Sequence, residues 1–191
     1  MSRIIAGAAK GKRLATPKGA HTRPTTDRTR EALFSALVSW LGTADEESDK
    51  QLAGVSFLDL YAGSGAVGLE AASRGAGPVL LVELDKPTAK LIQDNARSTG
   101  LSATVRAEKA QAVVESPWEQ FDIIFMDPPY EIATDEVELL LAGLAGARIA
   151  PRGLVVVERS SRDRAPEWPA SFTDTWSRKY GETTLYFGSV D

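Results

Sequence analysis

The chain has 191 residues, 43% of them hydrophobic and 25% charged, enough for one ordinary domain with a substantial core. It has no cysteine and a single histidine, His21, which excludes disulfides, thiolate or multi-histidine metal sites and cysteine nucleophiles. No run approaches the length of a membrane span and the N-terminus lacks an apolar signal core, so a cytoplasmic protein without a membrane partner is expected.

The net charge of −4 is unevenly spread. Residues 1–30 hold eight basic side chains (Arg3, Lys10, Lys12, Arg13, Lys18, Arg23, Arg28 and Arg30) and one acid, Asp27, leaving 14 basic against 25 acidic for the rest. Such asymmetry marks a polyanion-binding footprint at one end. Within it, Arg3-Ile4-Ile5-Ala6-Gly7 and Lys12-Arg13-Leu14 read as two short strands around a Gly/Lys turn. That predicts a basic hairpin extension over residues 1–24, a better phosphate platform than the alternative, a solvated arm. His21 reads as a loop residue. A helix follows over 27–41, capped by Thr26 or Asp27, with Leu33, Phe34, Leu37, Val38 and Leu41 on one face. Its first turn would present Arg28 and Arg30 beside the hairpin. Residues 42–51 are polar and acidic, and a mobile loop is expected there.

From residue 53 onward strands and helices alternate. Strands are predicted near 55–60, 78–83, 103–107, 121–126 and 153–158, and helices near 65–74, 86–99, 109–115 and 134–147. Two further strands, near 171–178 and 183–188, read as an antiparallel ending. The alternation predicts an α/β domain over 25–191, a mostly parallel sheet covered on both faces.

Three strand ends carry the chemistry. The first run passes through Asp59 into Ala62-Gly63-Ser64-Gly65, which with Gly68 forms G-x-G-x-x-G, a spacing that lets a ligand approach a helix N-terminus. A nicotinamide dinucleotide site competes for this pattern, but a carboxylate before the turn would repel a pyrophosphate and welcome an ammonium group, such as that of S-adenosylmethionine. Glu83, which Leu84 follows, ends the next run 24 residues on, close to the interval at which an acid meets ribose hydroxyls. Asp85 reads as the cap of the helix that begins at Lys86-Pro87. The fourth run, Phe121–Met126, ends in Asp127-Pro128-Pro129-Tyr130. A carboxylate and the Pro128 carbonyl can accept both hydrogens of an exocyclic amine, while Tyr130 lies against the ring. This would turn the amine's lone pair toward an electrophile, a positioning and electrostatic effect. Pro-Pro also ends strands with no further role, but two acidic strand ends and a glycine turn on the same edge favour methyl transfer.

Together these stretches resemble the bacterial small-subunit ribosomal RNA guanine-N2 methyltransferases of the type D family, over nearly the whole chain. The resemblance rests on Arg3-Ile4-Ile5-Ala6-Gly7, on Thr22-Arg23-Pro24-Thr25-Thr26-Asp27-Arg28 running into Arg30-Glu31-Ala32-Leu33-Phe34, and on Leu58-Asp59-Leu60-Tyr61-Ala62-Gly63-Ser64-Gly65. Asp127–Tyr130 and Lys179-Tyr180-Gly181-Glu182-Thr183 complete it. It implies a class I methyltransferase, a Rossmann-like seven-stranded sheet using S-adenosylmethionine and no metal. It also implies a target guanine in 16S rRNA, within the small subunit or an assembly intermediate; a monomer is the expected state. The implied roles are cofactor binding for Asp59, Ala62, Gly63, Ser64, Gly65, Glu83 and Leu84, and catalysis for Asp127, Pro128, Pro129 and Tyr130. RNA phosphates would fall to Arg3, Lys12, Arg13, Arg23, Arg28, Arg30 and Lys179. Where the family often has an acid before an alanine, this chain has Lys109 in Glu108-Lys109-Ala110, which leaves the adenine contact open. The Asp-Pro-Pro-Tyr element is shared with adenine-N6 methyltransferases, although the chain has little room for a separate DNA-reading domain. A non-catalytic RNA-binding assembly factor is the remaining alternative.

Overall fold

The computed structural model describes residues 2–18, 26–116 and 119–191. A two-stranded hairpin, β1 (Ser2–Arg3) and β2 (Arg13–Leu14), precedes helix α1 (Asp27–Leu41). Then come β3 (Phe57–Asp59), α2 (Ala66–Ser73), β4 (Val79–Val82), α3 (Lys86–Thr99), β5 (Thr104–Arg106), α4 (Ala110–Glu115), β6 (Phe121–Met126) and α5 (Thr134–Ala147). Strands β7 (Ile149–Ser160), β8 (Asp174–Tyr180) and β9 (Thr183–Ser189) end the chain. The second sheet has the order β5-β4-β3-β6-β7-β9-β8. Its first five strands run parallel, and β9 enters antiparallel between β7 and β8.

Alternation along the strands sorts the core into two layers. Phe57, Leu81, Ile123, Phe125, Leu154 and Val156 pack with α1, α2, α3 and the hairpin. Leu58, Leu80, Ile124, Met126, Val155 and Val157 pack with α4 and α5. The chain leaves β3 toward β4 on one side and returns in β6 on the other, so the crevice beyond these strand ends is the switch point where doubly wound sheets bind ligands.

Local chemistry sets the helix bounds. Thr26 accepts the Thr29 N–H at 3.2 Å to open α1, and Gly42 closes it at φ 71°. Asp85 accepts the Thr88 N–H at 2.9 Å to open α3, with Pro87 in its first turn.

Three stretches differ from expectation. Strand β7 starts at Ile149 rather than 153, because a register irregularity opposite Phe121–Ile123 absorbs Pro151, with Arg152 at φ 61°. Strand β8 starts at Asp174 rather than 171, since Phe172 turns into the core and donates its N–H to the Pro169 carbonyl at 3.0 Å. Residues 42–51 form successive turns anchored on the end of α2 rather than a free loop. Arg74 donates to Gln51 Oε1 at 2.9 Å, and the Leu52 N–H donates to the Arg74 carbonyl at 2.9 Å.

The hairpin is fastened to α2 through its backbone. Buried Glu70 accepts the Ile5 and Ala6 N–H groups at 2.7 and 3.0 Å, and Ser73 Oγ accepts from Ala9 and donates to the Ala6 carbonyl. At Gly7, φ 82°, a Cβ would sit 1.9 Å from the Ser73 carbonyl oxygen, so only glycine permits this approach. Ile4, Ala9 and Leu14 are buried in the main core, so the hairpin shares it.

Candidate active site

The first half of the site is a cleft of about 1480 Å³ over the ends of β3 and β4. Gly63 at φ 55° and Gly65 at φ 81° turn the chain from β3 into α2. A Cβ on Gly65 would come within 2.8 Å of Ile92, whereas one on Gly63 would meet nothing, so the Gly63 backbone stands open to the cleft. Ala62, Gly63 and Ser64 line the cleft. Gly65 does not; its role is the tight turn against α3. Glu83 spans two loops, accepting the Gly63 N–H at 3.0 Å and the Asp85 N–H at 2.9 Å. Leu84 and Leu139 line the same cleft and are 62% and 67% exposed, an apolar pair suited to a planar ring. Lys109 and Glu108 also line it, and Glu108 lies 3.9 Å from Arg106.

Asp59 is buried, with Oδ2 accepting the Gly68 N–H at 3.3 Å and Oδ1 without a partner. Desolvation, and then the charge of Asp127, push its carboxyl up to about 7, against the pull of the Gly68 and Tyr61 backbone N–H groups. An orphaned carboxylate oxygen in a dry wall calls for a cation or a strong donor. These residues therefore fit S-adenosylmethionine: an acid for its ammonium group, a second acid for ribose hydroxyls, and leucines for its adenine.

The second half is a smaller cleft of about 730 Å³ beyond β6 and β7. Asp127 and Pro129 belong to the walls of both clefts, while Pro128 and Tyr130 face the smaller one. Tyr130 is 61% exposed, an aromatic face left open in the wall of the smaller cleft. Thr26, Arg28 and Thr29 come from the start of α1, and Lys179–Thr183 from the β8–β9 turn. The Asp127–Tyr130 motif is the partition between the two clefts.

The basic residues divide. Arg28 and Lys179 are exposed in the smaller cleft, Arg13 is exposed on the hairpin, and Arg3 is exposed with Asp27 at 3.4 Å. The Lys12 ammonium donates to the Thr99 carbonyl at 2.7 Å, at the end of α3 where a cation complements the helix dipole. Arg23 lies outside the described residues, as does the rest of Thr22–Thr25. Arg30 corrects the expectation: it is fully buried and cannot reach a phosphate. It donates to Ser2 Oγ, the Arg3 carbonyl and Asp27, and its Nε lies 4.0 Å from Glu70. Its place on the apolar face, three and four residues before Leu33 and Phe34, was the available signal. Glu158, buried in the smaller cleft, and Thr16 and Pro17, which wall the larger one, escaped the sequence reading because no local pattern marks them; Lys18, expected only in the basic footprint, walls the larger cleft as well.

Sheet order and switch-point cleft define a class I, S-adenosylmethionine-dependent methyltransferase fold. The model of the family described as "Conserved hypothetical protein 95" matches residues 2–189. The Escherichia coli (strain K12) protein named "Ribosomal RNA small subunit methyltransferase D" is 33% identical over 172 residues, covering 90% of this chain and 81% of its own. The chain belongs to this family. Its fold is similar to that of a solved "putative methyltransferase yhhF" from Escherichia coli, with a TM-score of 0.83 and 27% identity over 100% of this chain and 98% of that one. A Thermus thermophilus 16S rRNA N2 G1207 methyltransferase, solved with S-adenosylmethionine and guanosine, shares the fold at a TM-score of 0.67. It is 22% identical, covering 91% of this chain and 45% of that one.

Proposed function

We propose that the protein methylates the exocyclic N2 amine of a guanine in 16S rRNA, within the small ribosomal subunit or an assembly intermediate. The observation that carries this reading is the shared wall: Asp127 and Pro129 line both the cofactor-sized cleft and the smaller, charged one. A group that grips an amine must stand between methyl donor and base. The relative named for small-subunit rRNA methylation supports the RNA class of substrate.

Asp59 and the Gly63–Ser64 backbone hold the methionine end, with Gly65 shaping the turn behind them, Glu83 the ribose and Leu84 the adenine; S-adenosylmethionine supplies an electrophilic methyl on a sulfonium. Asp127 and the Pro128 carbonyl accept the two N2 hydrogens and orient the nitrogen lone pair toward the larger cleft. Tyr130 stacks on the extruded base, worth about 1–3 kcal/mol, and a loop guanine costs less to extrude than a paired one. The surplus proton leaves the nitrogen after transfer. Arg28 and Lys179 hold phosphates at the mouth, with Arg3, Lys12 and Arg13 extending the track along the hairpin. Such contacts position the RNA and leave sequence to the base pocket.

The test is transfer of tritium from labelled S-adenosylmethionine to small subunits that lack their own methylation, followed by nucleoside analysis. Label in N2-methylguanosine is the expected outcome. Label in N6-methyladenosine would keep methyl transfer and refute the guanine assignment.

A further inference from the structure

We propose that Glu158 makes this site read guanine, by accepting the N1–H of the base whose N2 amine Asp127 grips. The inference rests on the guanine-N2 reading and deepens it. Strands β6 and β7 run parallel with Met126 opposite Val157, so Asp127, the first residue past β6, stands beside Glu158, which is still within β7 and paired with Leu185 of β9. Neighbouring strands lie about 4.8 Å apart. Ile123 and Phe125 on β6, and Leu154 and Val156 on β7, face the layer of α1; Ile124, Met126, Val155 and Val157 face the other. Alternation therefore turns Asp127 and Glu158 toward the same layer. Both line the smaller cleft, beside Thr26 and Arg28 from the start of α1. Glu158 is 8% exposed, so a polar group that meets it there does so largely out of water.

The chemistry of the base edges then decides between substrates. Guanine carries its N2 amine directly beside N1–H, so two donor groups stand next to each other. Adenine sets its amine beside a bare N1, and cytosine beside a bare N3. One carboxylate and one carbonyl accept two amine hydrogens and cannot tell these bases apart. A second carboxylate alongside can, because it accepts N1–H in a charge-assisted bond and faces a lone pair in the other two bases. Arg28 and Lys179 line the same cleft, so the two acids meet the base in company with cations. In this reading Asp127 selects an amine and Glu158 selects the purine that bears it.

The probe is 2,6-diaminopurine, which keeps the N2 amine of guanine and replaces N1–H with a lone pair. Once the wild-type enzyme has mapped its target nucleotide, small subunits are reconstituted with guanine or 2,6-diaminopurine at that position. The wild type should favour guanine in kcat/KM by at least about 100-fold. Glu158→Gln, whose amide can turn to donate toward a bare N1, should narrow that preference by at least about tenfold, and Glu158→Ala should narrow it as well. A purely structural role would lower both rates together and leave their ratio unchanged. Equal use of the two bases by wild type, or an unchanged ratio in both variants, overturns the inference. Absence of label at any guanine N2 with wild-type enzyme sinks the underlying guanine reading instead, before the analogue is needed.

Discussion

Two regions of the molecule bury charge, and they do so in opposite ways. Where the hairpin, α1 and α2 meet, buried Arg30, Arg74 and Glu70, with half-exposed Asp27 at their edge, alternate in sign. Arg74 Nε lies 3.0 Å from Glu70 Oε1, Arg30 lies 3.0 Å from Asp27, and Glu70 also accepts two backbone N–H groups. At the ends of β3 and β6, by contrast, buried Asp59 meets the like charge of Asp127, and one Asp59 oxygen has no partner. Burial with matched partners holds a junction together. Burial beside a like charge leaves an acid that a cationic ligand would relieve. Sign pattern, more than burial, separates architecture from function here.

The largest effect expected from breaking this contrast is at the matched junction. Arg30→Ala leaves Glu70 and Asp27 without their shared cation and removes the tie to Ser2 and the Arg3 carbonyl. Loss of one partner of a buried pair costs about 3–5 kcal/mol. Urea unfolding of the variant should show that loss, whereas Arg28→Ala, two residues away and exposed, should leave the midpoint almost unmoved. Equal midpoints for the two variants would contradict the division of roles in this helical turn.

At the like-charge site the expected loss is in turnover rather than stability. Asp127→Ala removes an acceptor that acts on the amine, and kcat should fall by about 100- to 1,000-fold, the scale of a deleted transition-state hydrogen bond. Cofactor affinity by calorimetry should change little, because Asp59 and Glu83 are untouched. Parallel loss of both would mean that Asp127 serves the larger cleft rather than the partition.

How much of this was legible in the sequence follows the same contrast. Elements with local signals were read to the residue: α1 and α3 carry side-chain caps at Thr26 and Asp85, and β6 is an apolar run stopped by Pro-Pro. Strand β7 was expected from Gly153 onward, and its first residues, 149–152, were missed because Pro151, and Arg152 at positive φ, sit in an irregularity that only pairing with β6 carries through. Arg30 was misplaced because a run of basic residues drew attention to charge over periodicity. Glu158 was invisible for a deeper reason. Its meaning comes from lying beside Asp127 across two strands 31 residues apart, and no local pattern encodes that register.

A smaller, pH-dependent effect belongs to Asp59. Its folded pKa of about 7 lies above the ordinary 3.8, so the folded ligand-free protein holds a proton that the unfolded chain has released. The stability this contributes is fully present below about 4 and is lost as pH rises to about 7. Asp59→Asn should therefore raise the melting temperature of the ligand-free protein most at pH 8, with the gain shrinking toward pH 5. Cofactor binding should show the opposite sign. The ionised acid meets the ammonium group, so wild-type affinity should fall by up to about tenfold per pH unit below 7, and the Asn variant should be weak and flat. A wild-type affinity that is also flat between pH 5.5 and 7.5 would remove the ammonium from Asp59.

The smallest effect, and the one that separates the basic residues from each other, is in salt dependence. Each phosphate contact adds about 0.9 to the slope of log affinity against log salt on a duplex and about 0.7 on a single strand. Arg28 stands in the smaller cleft with Lys179, so Arg28→Ala should weaken binding of small-subunit RNA severalfold and lower the slope by about one contact. Lys12 already satisfies the Thr99 carbonyl at the end of α3, so the slope should drop less for Lys12→Ala, with part of the change appearing in stability. Filter binding between 50 and 200 mM salt, a range over which such slopes are resolved, would read both variants on one plot. If Lys12→Ala lowers the slope as much as Arg28→Ala, the hairpin is a full part of the RNA track; if it does not, the track begins at α1 and the hairpin serves mainly to hold that helix against the sheet.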